Sequence, residues 1–267
     1  MKKIFVLLCA AALMTVACEK EEPTPTPENP TTPSDTTQVD PFTTVFIPNA
    51  VTDYDGNSYD AVQIGSQVWM ASNLRTTHYA NGDAIPVGTS TTDVGRYAPD
   101  NNEAIVSTYG YLYNWPAVMH GAESSDANPS GVQGVCPNGW HMPSDAEWTQ
   151  LTDYCAAHTE CVCSESKIAK SLAANHDWCA ESETECAVGN DLSSNNATGF
   201  RALPAGMYGG GCFNFSYATD FWSATQAGSS WAYSRSFYYD SPNVFRNSDG
   251  SGFSYGFSVR CVRDIER

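Results

Sequence analysis

Eight cysteines between residues 136 and 261 of a 267-residue chain constrain its fold more than any other feature. They are Cys136, Cys155, Cys161, Cys163, Cys179, Cys186, Cys212 and Cys261. What an even set means depends on the compartment. In an exported protein it is a disulfide framework, whereas in a reducing one it points to metal or redox chemistry. The spacing disfavours a metal site: Cys161-Val162-Cys163 is CxC and no CxxC occurs, although His158 and His176 lie in the same stretch. The other two of the ten cysteines, Cys9 and Cys18, sit at the N-terminus, where the compartment is decided.

Lys2 and Lys3 open the chain, residues 4–14 are apolar, and the small-residue stretch Thr15-Val16-Ala17 directly precedes Cys18. That order is the pattern of a secretory signal peptide. Its apolar run is shorter than the ~20 residues a transmembrane helix needs. The cleavage region resembles a bacterial lipobox, with Thr15 where Leu is usual. Residues 1–17 are therefore the expected signal peptide and Cys18 the expected lipidation site, so that the lipid is the only membrane attachment. Residues 18–45 read as the lipidated N-terminus and a linker, because Pro23, Pro25, Pro27, Pro30 and Pro33 stand among Thr, Ser and acidic residues. Such a segment has no apolar area to bury and stays solvated. The start Cys18-Glu19-Lys20-Glu21-Glu22 resembles the acidic signal that sends lipoproteins of the Bacteroidetes to the cell exterior. The expected location is the cell outer membrane, lipid-anchored and surface-exposed. Asp35-Thr36-Thr37 is similar to the O-glycosylation motif of those bacteria.

Residues 46–267 remain for one folded domain, long enough to bury a substantial core. A net charge of −17 repels nucleic acid and anionic lipid, so neither is an expected partner. From residue 43 the pattern is β-rich with short helices, an α+β domain of short antiparallel strands with one or two helices. Asp53-Tyr54-Asp55-Gly56-Asn57 is a turn signal, without the Gly and Glu spacing of an EF-hand loop. Strands are expected over 59–64 and 68–70, around Gly65. Ser144 and Glu147 form an S-x-x-E capping box, and Trp148, Leu151, Thr152 and Cys155 share the helical face that follows. A second, shorter helix is expected over 166–174. The stretch 155–186 lacks apolar runs and reads as loops held by local bridges. Residues 231–239 are aromatic-rich, and Asn247-Ser248-Asp249-Gly250 is a hairpin-type turn. In the last strand Tyr255, Phe257, Val259 and Cys261 alternate with Ser254, Ser258 and Arg260, the pattern of a half-buried strand.

Six ordered blocks carry a family resemblance. They are Val51-Thr52-Asp53-Tyr54-Asp55-Gly56-Asn57 with Ile64-Gly65-Ser66-Gln67-Val68-Trp69-Met70; Tyr109-Gly110-Tyr111-Leu112-Tyr113-Asn114-Trp115; Cys136-Pro137-Asn138-Gly139-Trp140-His141-Met142-Pro143-Ser144; Gly199-Phe200-Arg201-Ala202-Leu203-Pro204; Phe221-Trp222-Ser223-Ala224-Thr225; and Gly256-Phe257-Ser258-Val259-Arg260-Cys261-Val262. Together they resemble the Fibrobacter succinogenes major paralogous domain family, found in bacterial surface lipoproteins. The same motifs are similar to those of C-type-lectin-like folds and of the formylglycine-generating sulfatase modifiers. That resemblance implies a C-type-lectin-like, disulfide-stapled fold and a bridge from Cys136, before the capped helix, to Cys261 on the last strand. Cys179–Cys186 is the expected local pair, while the order of Cys155, Cys161, Cys163 and Cys212 stays open.

No nucleophile accompanied by a base is legible. His141 reads as a packed histidine under the helix start, and His78, His120, His158 and His176 as isolated loop residues. The modifiers' catalytic cysteines have no recognisable counterpart, so the chain is expected to be no enzyme and to need no cofactor or metal. Of the seven tryptophans, Trp69, Trp140, Trp148 and Trp222 fall in core motifs. Trp178 and Trp231 lie outside the tightest motifs and are the candidates for surface contact with a glycan or a surface protein. The expectation is a non-catalytic binding or adhesion domain. The alternatives are a structural accessory subunit of a cell-surface assembly and, more remotely, an enzyme related to the sulfatase modifiers.

Overall fold

A computed structural model of the chain describes residues 41–164, 167–249 and 252–265. The signal peptide, Cys18 and the linker up to residue 40 lie outside the described residues. Along the chain run β1 (Thr44–Thr52), β2 (Ser58–Ile64), β3 (Gln67–Met70), β4 (Arg96–Tyr97), α1 (Val106–Tyr109), β5 (Leu112–Asn114), α2 (Trp115–Met119), α3 (Asp145–Ala157), α4 (Ala169–Leu172), β6 (Met207–Tyr208), β7 (Cys212–Phe213), β8 (Ala218–Gln226), β9 (Ala232–Tyr238), β10 (Phe245–Asn247), β11 (Gly256–Phe257) and β12 (Val262–Asp264). The first strand starts two residues before the expected linker boundary. The second helix, α4, is a single turn, shorter than expected.

The strands form three sheets, ordered β1-β2-β3-β12, β10-β9-β8 and β4-β5-β11-β6-β7. All pairings between these strands are antiparallel, and isolated parallel bridges such as Phe221 with Ser258 tie one sheet to another. Local sequence explains the first sheet. Gly56, at a φ of 82°, completes the turn after β1, and Asp53 accepts from the Asn57 backbone (2.9 Å) and side chain (2.8 Å) and from the Tyr59 hydroxyl (2.6 Å). Gly65 and Ser66 make a two-residue hairpin between β2 and β3, whose first position has the positive φ that glycine tolerates best. A side chain there would also collide with the Tyr154 ring, 2.8 Å from the place of a Cβ. In register, Thr44 lies opposite Ile64, Ile64 opposite Gln67, and Gln67 opposite Asp264.

The capping box forms in full: the Ser144 hydroxyl accepts from the Glu147 N–H (3.1 Å) and the Glu147 carboxylate from the Ser144 N–H (2.9 Å). Trp148, Leu151 and Cys155 then face the core, with Thr152 at its margin.

Two apolar clusters fill the domain, on opposite sides of the strands that separate them. One gathers Tyr59, Met70, Trp115, Trp140, Trp222 and Phe257; the other gathers Val62, Trp69, Trp148, Leu172, Phe200 and Phe221. Adjacent residues such as Phe221 and Trp222 serve opposite clusters, so these strands are buried on both faces. This corrects the half-buried reading of the last strand: Ser258 and Arg260 are as inaccessible as Phe257 and Cys261. The stretch also breaks into β11 and β12, in different sheets. The expected turn at 247–250 does not join paired strands, since β10 pairs with β9 and β11 lies in another sheet; its Gly250 is outside the described residues.

Two bridges staple the domain. Cys136 joins Cys261 with Cα atoms 5.9 Å apart, and Cys163 joins Cys186 at 5.8 Å. The expected Cys179–Cys186 pair is therefore incorrect, and Cys179 carries a free thiol. Cys179 is tied through its N–H to Ser216 O (2.8 Å), whereas Cys186 sits at a φ of 64° in the turn between Thr184 and Ala187, bonded to the other side of the loop. Nor is the cysteine-dense stretch only loop: Cys155, Cys161, Ile168, Leu172, Ala174 and Trp178 all belong to the second cluster.

One buried acid gives a pH test. Asp220 on β8 is fully enclosed, and the Ser236 hydroxyl donates to it. Burial raises its pKa from 3.8 to about 6, partly offset by Ser236. The folded protein thus holds a proton that the unfolded chain releases between about pH 4 and 6. This stabilisation is present below pH 4, is lost as pH rises through 6, and leaves a penalty of up to ~3 kcal/mol at pH 7. Asp220→Asn keeps the acceptor and removes the charge. Its expected result is a higher melting temperature than the parent at pH 7 and little difference at pH 4, followed by calorimetry at both pH values. An equal shift at both would refute the buried-charge account.

Candidate binding surface

Trp231 stands alone among the seven tryptophans in being exposed, at 44%; the other six are buried. Its place is the hairpin between β8 and β9, just before Ala232, which pairs with Gln226. The Ala227 and Gly228 N–H groups both donate to the Trp231 carbonyl, at 2.9 and 3.1 Å. On the other side its backbone bridges Gly252, and the Phe253 N–H donates to Ser230 O (2.9 Å). Gly228 lies so close to the ring that a Cβ there would fall 2.4 Å from the indole nitrogen. The Trp231 backbone is thus paired on two sides and the indole lies against Gly228, while the residue stays exposed. Holding an aromatic anchor before contact lowers the entropy that contact would cost.

The hairpin continues into a second surface feature. Thr225 donates to Ser125 O (2.7 Å) and the Gln226 N–H to Ser124 Oγ (2.8 Å), which fixes the loop that leads on to Asn128. Asn128 opens a groove of about 500 Å³, lined also by Ser66, Pro129, Gln150, Asp264 and Ile265. The Asn128 amide donates to the Gln150 side chain, and Gln150 to Ser66 Oγ (2.8 Å). Beside it, sharing Ser66 and Ile265, lies a further hollow with Gln63 and the half-buried Tyr154 ring. Side-chain amides carry donors and acceptors together, suited to hydroxyl or peptide groups.

Trp178 does not belong to this surface. It is buried, with its indole N–H donating to Ala202 O (3.1 Å). Its place outside the tightest motifs made it a surface candidate, but it packs into the second apolar cluster. Nothing in the local sequence marked the amide groove, because Ser66, Asn128 and Gln150 come from three distant segments.

The four histidines read as isolated have partners, and His141 packs under the helix start. His141 meets Glu147 (2.6 Å), and its backbone pairs with Val262; Glu147 also accepts from the Ser130 N–H (3.1 Å). The His158 ring meets Tyr154 O (2.6 Å), His176 meets Asp177 (2.9 Å), and His120 stacks on Tyr79 at 3.6 Å. His78 lies between Asp55 and Thr77, but both contact the same ring nitrogen, Nδ1. A relay from acid through imidazole to hydroxyl requires opposite nitrogens. Backbone and side-chain hydrogen bonds, with burial opposing, hold the Asp55 carboxyl below the usual range. Among the described residues no group of three His, Cys, Asp or Glu is placed to hold a metal ion. No helix among them is long and apolar enough to cross a membrane.

What these features define is a disulfide-stapled α/β domain of mostly antiparallel strands with an exposed tryptophan on a paired hairpin. The chain belongs to the family described as the Fibrobacter succinogenes major domain, whose model matches residues 62–263. No curated protein and no solved structure matches it.

Proposed function

We propose that this protein is a surface-exposed lipoprotein anchored through Cys18, whose domain is a non-catalytic binding or adhesion module for a glycan or a surface protein. The observation that carries the reading is Trp231: a large aromatic ring left exposed on a hairpin whose backbone is hydrogen-bonded on both sides. Aromatic residues of this kind dominate contact energy in protein interfaces and stack on apolar sugar faces. The amide groove at Asn128 and Gln150 supports a polar component to recognition. A C-type-lectin-like fold is part of the proposal, supported by the Cys136–Cys261 bridge between the segment before α3 and the end of the chain.

Trp231→Ala is expected to weaken capture on a glycan array or from outer-membrane extract by roughly tenfold or more, the scale of an interface hot spot. The cooperative melt should persist, since the ring is not core. Undiminished capture would remove Trp231 from the site. Anchoring is tested apart from binding: radiolabelled palmitate should enter the parent chain, and Cys18→Ser should abolish the label. Labelling that survives the substitution would overturn the anchor.

A second reading, an accessory subunit of a cell-surface assembly, has one observation in its favour. β1 is an edge strand of nine residues with Val45 and Phe46 exposed. Open edges of this kind accept a further strand.

A further inference from the structure

We propose that Cys155 and Cys161 are a dithiol that closes into a third disulfide by thiol–disulfide exchange, with Cys161 as the attacking sulfur and Cys155 as the resolving one. Placement supplies the pairing. Cys155 lies in the last turn of α3; the His158 N–H donates to Cys155 O (3.2 Å) and the Cys161 N–H to His158 O (3.0 Å). These two successive turns carry the chain from α3 to Cys161, and both cysteines enter the same apolar cluster. Both side chains are buried, and each thiol has the other and Ser171 as its electrostatic neighbours. The other cysteines are not competitors. Cys163, two residues on, is already bonded to Cys186, and Cys212 Sγ lies against the Asn101 N–H (3.3 Å) and Ala98 O. Cys179 is held by its backbone to Ser216.

The two sulfurs are not equivalent. A hollow of about 140 Å³ is lined by Cys161, Cys163, Glu160, Lys170 and Ser171, and Cys155 is not part of its wall. A small disulfide entering that hollow meets Cys161 first. Acidity runs the same way. The Cys155 thiol, as donor, lowers the pKa of Cys161 against the cost of burial, with Ser171 and His158 lowering it further and Glu160 opposing. The contact with Cys161 and burial raise that of Cys155. The thiolate is the attacking species, and its partner must follow from a less accessible position.

The exchange balances with a low-molecular-weight disulfide as the oxidant. The Cys161 thiolate attacks one sulfur of RS–SR, forming a Cys161–SR bond and releasing RS⁻, which takes up the proton lost by Cys161. Cys155 then gives up its proton and attacks the Cys161 sulfur, forming Cys155–Cys161 and releasing the second RS⁻, which is protonated in turn. The two cysteines are oxidised by two electrons and RS–SR is reduced to two RSH. The product fastens the end of α3 to the same short segment that Cys163–Cys186 fastens on its other side.

The test uses the purified chain incubated with cystine, quenched in acid, alkylated in denaturant and mapped without reduction. Cleavage after Glu160 separates the two residues. The expected product is a 155–161 cross-linked pair lighter by two hydrogens than the dithiol, with Cys136–Cys261 and Cys163–Cys186 intact. Full alkylation of both residues after cystine treatment, or a link from either to another cysteine, would overturn the pairing. The order of attack is read from single variants. Cys155→Ser should accumulate one half-cystine on Cys161, and Cys161→Ser should leave Cys155 unmodified. Equal adducts in both would overturn the assigned roles. Mapping of the unsubstituted chain decides the pairing even where a variant does not fold.

Discussion

Arg260→Ala is expected to destabilise the domain by about 3–5 kcal/mol, as for the loss of one partner from a buried charged network. The Arg260 side chain is fully buried between the apolar clusters, and among the described residues no carboxylate pairs with it. Burial pulls its pKa down to about 9, and the charge of Arg201 adds to the shift. What offsets the burial is a set of fixed acceptors: Asn73 Oδ1 at 2.7 Å, Met70 O at 2.9 Å, Arg201 O at 2.7 Å, and Phe200 O. The guanidinium also lies over the Phe200 ring, 4.5 Å from its centre, and 5.6 Å from the centre of Phe221. Truncation takes the guanidinium donors from those oxygens and opens a cavity, both of which destabilise. Arg260→Lys should recover only part of the loss, because a single ammonium does not reproduce a planar fork of donors. Urea unfolding of the three proteins measures both effects. An alanine variant within 1 kcal/mol of the parent would mean that water replaces the side chain at little cost.

Removing the Cys136–Cys261 bridge by a double serine substitution should destabilise by a comparable amount, about 5 kcal/mol in the chain-entropy model. The two residues are 125 apart in sequence, so the bridge closes a long loop of the unfolded chain. Cys163 and Cys186 are 23 apart, and the same model gives about 3.5 kcal/mol for their loss. The ranking is the stringent part of the prediction. If denaturant midpoints showed the short bridge to matter more, local packing around Cys163 rather than loop closure would be the source of its stability.

Features decided by neighbouring residues were legible in the sequence. The capping box at Ser144, the Gly65 hairpin and the turn at Asp53 are each determined within a few positions by hydrogen bonding or by φ. The Cys136–Cys261 link was legible through the family motifs rather than through spacing. Features decided by what packs from elsewhere were not. Alternation along residues 254–261 implied water on one side, yet a second apolar cluster built around Phe200 and Phe221 occupies that side. Trp178 and the loop from Cys179 to Cys186 failed for the same reason, since α4 and Val188 draw this stretch into the core. For the candidate site, Trp231 was legible because it stands outside the core motifs. The amide groove depends on three remote segments meeting at Ser66, which no local pattern encodes.

The register of the first sheet carries a consequence for engineering. Thr44, Ile64, Gln67 and Asp264 form one row across four strands, so the first and last strands of the domain end level with each other at opposite edges of the sheet. Three strand spacings put those ends ~14 Å apart. About five extended residues would bridge that gap. A covalent ring closed there, with new ends opened in the exposed stretch near Glu183, would keep every strand pairing. By the same geometry the whole domain could be spliced into a surface loop of a host protein, entering and leaving through one narrow opening.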